Sequence, residues 1–127
     1  LLLSDVGVRG VSRPNMVVCR GDDCGLNTAR PTSTFLELTQ PHLTSMYSKG
    51  VVLDNYYTAW SCAPSRAMLM TGRNTVSLGI YSSTSIKNFP LQMQETTIAD
   101  ELRSVGYRTA LVGKWHLGFD HWAETPR

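Results

Sequence analysis

Three groups of residues in this sequence have the types and spacing to do chemistry. The first runs Trp60-Ser61-Cys62-Ala63-Pro64-Ser65-Arg66 and continues through Ala67-Met68-Leu69-Met70 to Thr71-Gly72-Arg73. Pro64 suits the first helical position, where its missing N–H has no partner and its φ is already helical. Residues 67–70 continue a helix, and Gly72 stops it. Cys62 then sits just before a helix N-terminus, whose free N–H groups and partial positive charge favour an anion. Arg66, one turn in, points back towards the same place. A sulfur nucleophile precursor, an anion-friendly helix end and a guanidinium together suggest chemistry on an oxyanion ester.

The second group is Asp22-Asp23, within Arg20-Gly21-Asp22-Asp23-Cys24-Gly25. The apolar residues 16–19 precede it and read as a strand buried on both faces, as in a parallel sheet. Carboxylates at the C-terminal end of such a strand lie where open α/β sheets place ligands. Side by side they repel each other, and a divalent metal explains them; the plainer alternative is an Asp-rich turn. The third group is Gly113-Lys114-Trp115-His116-Leu117-Gly118, after a strand over residues 107–112. In an extended segment residues two apart share a face, so Lys114 and His116 point one way and Trp115 the other. A cation and an imidazole suit an anionic ester and a leaving group that needs a proton, although an ordinary surface pair has the same spelling.

The elements that must position these groups follow in order. Residues 1–12 have no clear period and read as a leader or irregular arm, and residues 13–127 as part of one α/β domain. Residues 26–40 are polar and turn-rich, with a short helical piece at 35–38. Pro41 opens a helix in which Leu43, Met46 and Tyr47 recur at helical spacing and which Gly50 closes; His42 reads as a surface or capping residue. Residues 51–57 are β-rich and deliver the chain to Cys62. Residues 74–95 read as a long loop, with two alternatives: it shapes the site, or it is a plain surface excursion. Thr97 with Asp100 makes a helix start, Ile98, Leu102 and Val105 form its face, and Gly106 ends it. Glu101 reads as solvated helix surface, and His121 has no assignment. Strand, loop, helix, strand, helix, helix, strand is an α/β pattern with a parallel-rich sheet flanked by helices.

Composition bounds the class. With 127 residues the chain is one domain or less. An apolar fraction of 42% is ordinary for a globular protein. A net charge of +2, spread out, argues for neither nucleic acid nor a membrane surface as partner. No apolar run approaches the length of a transmembrane helix. Cys19 and Cys24 leave two alternatives, free thiols or a local disulfide; their spacing is a weak zinc signal.

The run Cys62-x-Pro64-Ser65-Arg66 with Thr71-Gly72-Arg73 resembles the signature of the formylglycine-dependent sulfatases. Asp22-Asp23-Cys24-Gly25 and Gly113-Lys114-Trp115-His116-Leu117-Gly118 are similar to two further runs of that family. The resemblance spans residues 13–127, and Arg20 departs from it, standing where the family usually has an apolar residue. The words Pro41-His42-Leu43 and Gly50-Val51-Val52-Leu53-Asp54-Asn55-Tyr56-Tyr57-Thr58 look most like the arylsulfatase B branch, associated with N-acetylgalactosamine 4-sulfate esters.

The resemblance implies an alkaline-phosphatase-like fold, of which this chain is the N-terminal part, inactive alone. It implies that a formylglycine-generating enzyme oxidises Cys62 and that the hydrated aldehyde attacks sulfur. One hydroxyl then carries the sulfate and the other expels it. Asp22, Asp23 and the residue made from Cys62 would bind Ca2+ or a similar divalent cation. Arg66 would steady the formylglycine, Lys114 contact the sulfate, and His116 orient or deprotonate the diol. The substrate would be a sulfate ester, on the branch reading a sulfated glycan, and the location the secretory pathway, lysosomal or extracellular. Two rivals stand beside this reading: a non-catalytic binding or structural piece, and a phosphoester hydrolase of the same superfold. Cys62 argues against the second, because those enzymes commonly use Ser or Thr directly.

Overall fold

A computed structural model describes residues 2–5, 13–25, 40–84 and 89–126. The helical piece expected at 35–38, and nearly all of its loop, lie outside these residues. The chain forms two compact units, Leu1–Cys19 with Thr58–Arg127, and Arg20–Tyr57.

The first unit carries strands β1 (Leu2–Asp5), β2 (Met16–Val17) and β3 (Tyr107–Ala110) in the order β2-β1-β3. Both pairings are antiparallel: Leu3 stands opposite Met16 on one side and Thr109 on the other. Residues 2–5 therefore form a strand where the sequence suggested an irregular arm. The parallel-rich sheet is not seen among the described residues. β2 and β3 run the same way, but β1 lies between them and supplies both ladders. Residues 13 and 14 are tied to the far edge, because Arg13 Nη1 donates to the Val105 carbonyl and Tyr107 Oη to that of Pro14 at 3.2 Å.

The unit also carries three α-helices, one of which supplies half of the core cluster. That one is helix α2 (Cys62–Thr71), which follows helix α1 (Pro41–Lys49) of the second unit in the chain. Ala63, Ala67 and Met70 recur on one face at helical spacing and pack with Ile80, Leu91 and Leu117. Ile80 and Leu117 are fully buried, each contributing about 1.5–3 kcal/mol by leaving water. Helix α3 (Thr75–Leu78) starts at Asn74, whose side chain accepts from the Val76 N–H at 2.9 Å. The stretch 74–95, expected to be a loop, thus contains a helical turn and two core residues. Helix α4 (Ile98–Ser104) has the capping box expected of Thr97 and Asp100. Its buried residue is Ala99, while Ile98 and Val105 of the expected apolar face are largely exposed.

In the second unit, helix α1 (Pro41–Lys49) begins on Pro41 and ends with the Gly50 N–H donating to the Met46 carbonyl at 2.8 Å. None of its residues is fully buried, and His42 is exposed as expected. Residues 51–57 form no strand, with Val51 90% and Tyr57 83% exposed. β propensity takes effect only where a pleated neighbour is available. No described helix is long and apolar enough to cross a membrane.

Candidate active site

Cys62 is the first residue of α2, not the residue before it, and Pro64 is the third. The helix starts two residues earlier than the proline suggested, at no cost in hydrogen bonds. The first intrahelical donor is the Ser65 N–H, to the Ser61 carbonyl at 3.2 Å, so an N–H at position 64 would have had no acceptor. Gly72 ends the helix in the left-handed region, φ 67°, with its N–H on the Met68 carbonyl. Ser65 is buried and donates to the Ala59 carbonyl at 2.7 Å, which holds the chain entering the helix. Cys62 itself is half-buried, and all three cysteines are free thiols.

The segment 113–118 is not extended. His116 has φ 61°, between Gly113 at 105° and Gly118 at 124°. A side chain in that region is uncommon outside Asn, Asp and His and costs about 1–2 kcal/mol, so surrounding contacts must impose it. They are visible on both sides. The Trp115 indole N–H donates to the Glu124 carbonyl at 2.7 Å, and its ring packs against the core. The Leu117 carbonyl accepts from the Leu91 N–H at 2.9 Å. Gly118 lies so close to its neighbours that a Cβ there would meet Pro90 Cβ at 2.7 Å and Glu124 Cβ at 2.8 Å. The strand-like alternation expected of Lys114 and His116 is thereby lost: Lys114 is exposed, while His116 is half-buried with Nδ1 shielded from solvent.

Arg66 joins the two segments, its Nη1 donating to the backbone carbonyl of Lys114. Its Nε is shielded from solvent. Helix α2 and the 113–118 segment are thus braced together, with a thiol on one and an ammonium and an imidazole on the other. A cleft of the same unit, lined by Met70, Glu95, Asp100, Trp115 and Glu124, contains none of the four predicted catalytic side chains.

Asp22 and Asp23 belong to the second unit. Both are exposed, and their carboxylates approach within 4.8 Å of one another. Asp23 has φ 52°, so it shares with His116 the left-handed backbone that aspartate tolerates. Arg20 is half-buried, with Nη1 shielded from solvent. Two side chains that the sequence left without a role act on helix starts. His121 Nδ1 accepts from the Ala123 N–H at 3.2 Å and caps the 3₁₀ turn Trp122–Glu124. Ser83 reaches the start of α2. His121 has a findable signal, since its ring nitrogen stands in the N-cap position.

The Sulfatase family model matches residues 14–124, a span that holds all six of these predicted residues. This chain belongs to the sulfatase family. Among curated sulfatases, human arylsulfatase A is 34% identical over 125 residues, covering 93% of this chain and 24% of the relative. Mouse arylsulfatase J is 34% identical over 117 residues, covering 91% and 19%. The arylsulfatase of Klebsiella aerogenes is 36% identical over 115 residues, covering 84% and 24%. The chain thus spans about a fifth to a quarter of the length of these relatives. No solved structure gives a significant match.

Proposed function

We propose that the protein carrying this chain hydrolyses sulfate esters, with aryl sulfates and sulfated sugars as the substrate class. The observation that carries this reading is the Arg66 to Lys114 hydrogen bond, which braces the start of α2 against the Lys114 and His116 segment. Formylglycine formed from Cys62 would supply a hydrated aldehyde as the oxygen nucleophile. The N-terminal dipole of α2 favours negative charge at that position. Lys114, exposed on its segment, binds a sulfate oxygen as a point charge. His116 holds or moves a proton through its imidazole; its strained backbone fixes where the ring sits. Arg66 orients the pair by holding the Lys114 carbonyl.

Asp22 and Asp23 fit a hard divalent cation such as Ca2+: they are oxygen donors, close to one another and accessible. They would hold it through their carboxylates, and the bound cation would polarise the sulfate. An alkaline-phosphatase-like fold for the whole protein, modification by a formylglycine-generating enzyme and a secretory-pathway location belong to the same reading.

Peptide mass spectrometry on the full-length protein, made in a host with the modifying enzyme, is expected to find the aldehyde at Cys62. Aryl sulfate turnover is expected to vanish in Cys62→Ala. An intact thiol throughout, or turnover that survives Cys62→Ala, overturns the proposal.

A further inference from the structure

Helix α2 has an unusual start. Its N-cap residue is Ser61, a strongly preferred N-cap type, yet the Ser61 side chain makes no cap hydrogen bond. The ordinary targets of a cap are the N–H groups of the second and third helical residues. Here the third is Pro64, which has none, so the demand falls on Ala63. The Ala63 N–H is met by the hydroxyl of Ser83, 20 residues further on, at 3.5 Å. The same hydroxyl lies 2.7 Å from Ser61 Oγ. Ser83 therefore holds the residue before Cys62 by its side chain and the residue after it by its backbone. It is half-buried and follows Ile80, which is fully buried, so its position is anchored in the core.

We infer that Ser83 is a positioning residue for Cys62, replacing the N-cap that Ser61 does not provide and fixing the backbone on both sides of the reacting position. It acts through Ser61 and Ala63. The kinetic consequence rests on the sulfatase reading above, whereas the structural consequence does not. Losing an N-cap side chain typically changes the local equilibrium by about fivefold, and that is the size expected here.

Two measurements on the full-length protein, each with Ser83→Ala and Ser83→Thr, test this. In protein made without the modification, amide exchange at Ala63 is expected to speed up about fivefold in Ser83→Ala. It should stay at the wild-type rate in Ser83→Thr, which keeps the hydroxyl, and the Ile80 amide should be unchanged in both. In the modified enzyme, Ser83→Ala is expected to lower kcat on an aryl sulfate about fivefold with KM within twofold, and Ser83→Thr to restore it. Unchanged exchange at Ala63 overturns the inference. So does exchange that rises equally at Ile80, which marks general destabilisation, or a kcat indifferent to the hydroxyl in an active enzyme. If the wild type hydrolyses no sulfate ester, the sulfatase reading falls, and the exchange experiment alone decides whether Ser83 holds the Cys62 turn.

Discussion

The Arg66 guanidinium donates to the Lys114 carbonyl across 48 residues of sequence. Sequence spacing suggested that Arg66 folds back onto the start of its own helix; the bond engages it with the neighbouring segment. Arg66→Lys keeps the charge but not the planar fork of donors. Loss of a charged hydrogen bond of this kind costs about 1.5–3 kcal/mol. Arg66→Lys is expected to lower kcat on an aryl sulfate about tenfold or more, with a smaller fall in thermal stability. Full activity in Arg66→Lys would show that the brace has no catalytic weight.

Gly118 and Gly72 separate two kinds of glycine requirement. Both have positive φ, but a Cβ at Gly72 meets nothing within 4 Å, while one at Gly118 collides with Pro90 and Glu124. Gly72→Ala is expected to cost about 1–2 kcal/mol, the left-handed penalty alone. Gly118→Ala should cost clearly more and displace His116 and Trp115. Denaturant unfolding of both variants checks the order, and equal costs would mean that the 90 and 124 segments yield freely.

Asp23 carries a backbone penalty and a charge that can be separated. Asp23→Gly relieves the left-handed strain, so in a chelator it is expected to be as stable as wild type or more stable by about 1 kcal/mol. It also deletes a carboxylate, so stabilisation by added Ca2+ should be largely lost. Wild-type protein should gain about 2.7 kcal/mol at a hundredfold excess of Ca2+ over its Kd. Thermal unfolding with and without Ca2+ reads both effects. An undiminished Ca2+ response in Asp23→Gly and in Asp22→Asn removes these residues from any cation site.

The capping box at α4 supplies a control remote from the chemistry. Asp100 Oδ2 accepts from the Thr97 N–H at 2.9 Å and from its hydroxyl at 2.6 Å. Thr97→Ala is expected to cost about 1 kcal/mol of stability and to leave aryl sulfate kcat within twofold. A large kcat loss at unchanged stability would tie α4 to the reaction.

What was legible in the sequence was mostly local chemistry. Thr97, Pro41, Gly50 and Gly72 act on their own helix ends through donors and dihedrals within one turn, and the structure has them where the sequence suggested. The family was legible because the Cys62 motif and the Lys114 motif each form a contiguous word. The failures were non-local. Residues 51–57 have β-forming side chains but no described partner strand, and residues 2–5 gain a strand only because β2 and β3 flank them. Ile80 and Leu91 looked like loop residues because their partners, Ala67 and Leu117, lie elsewhere in the chain. The His116 backbone could not be read either: its positive φ is imposed by contacts from residues 90, 91 and 124.

The core that holds Ala63, Ala67 and Met70 against Leu117 joins one motif to the segment of the other. Helix α2 has short-range hydrogen bonds of its own, but Lys114 and His116 come from about fifty residues further along the chain. Bringing residue 117 onto it closes a loop of roughly fifty residues, whose entropy is repaid only when Leu117 and Ile80 are buried together. The chemical groups of this unit therefore come together only where its core closes. A partly folded chain that retains α2 has the Cys62 turn without Lys114 and His116 beside it.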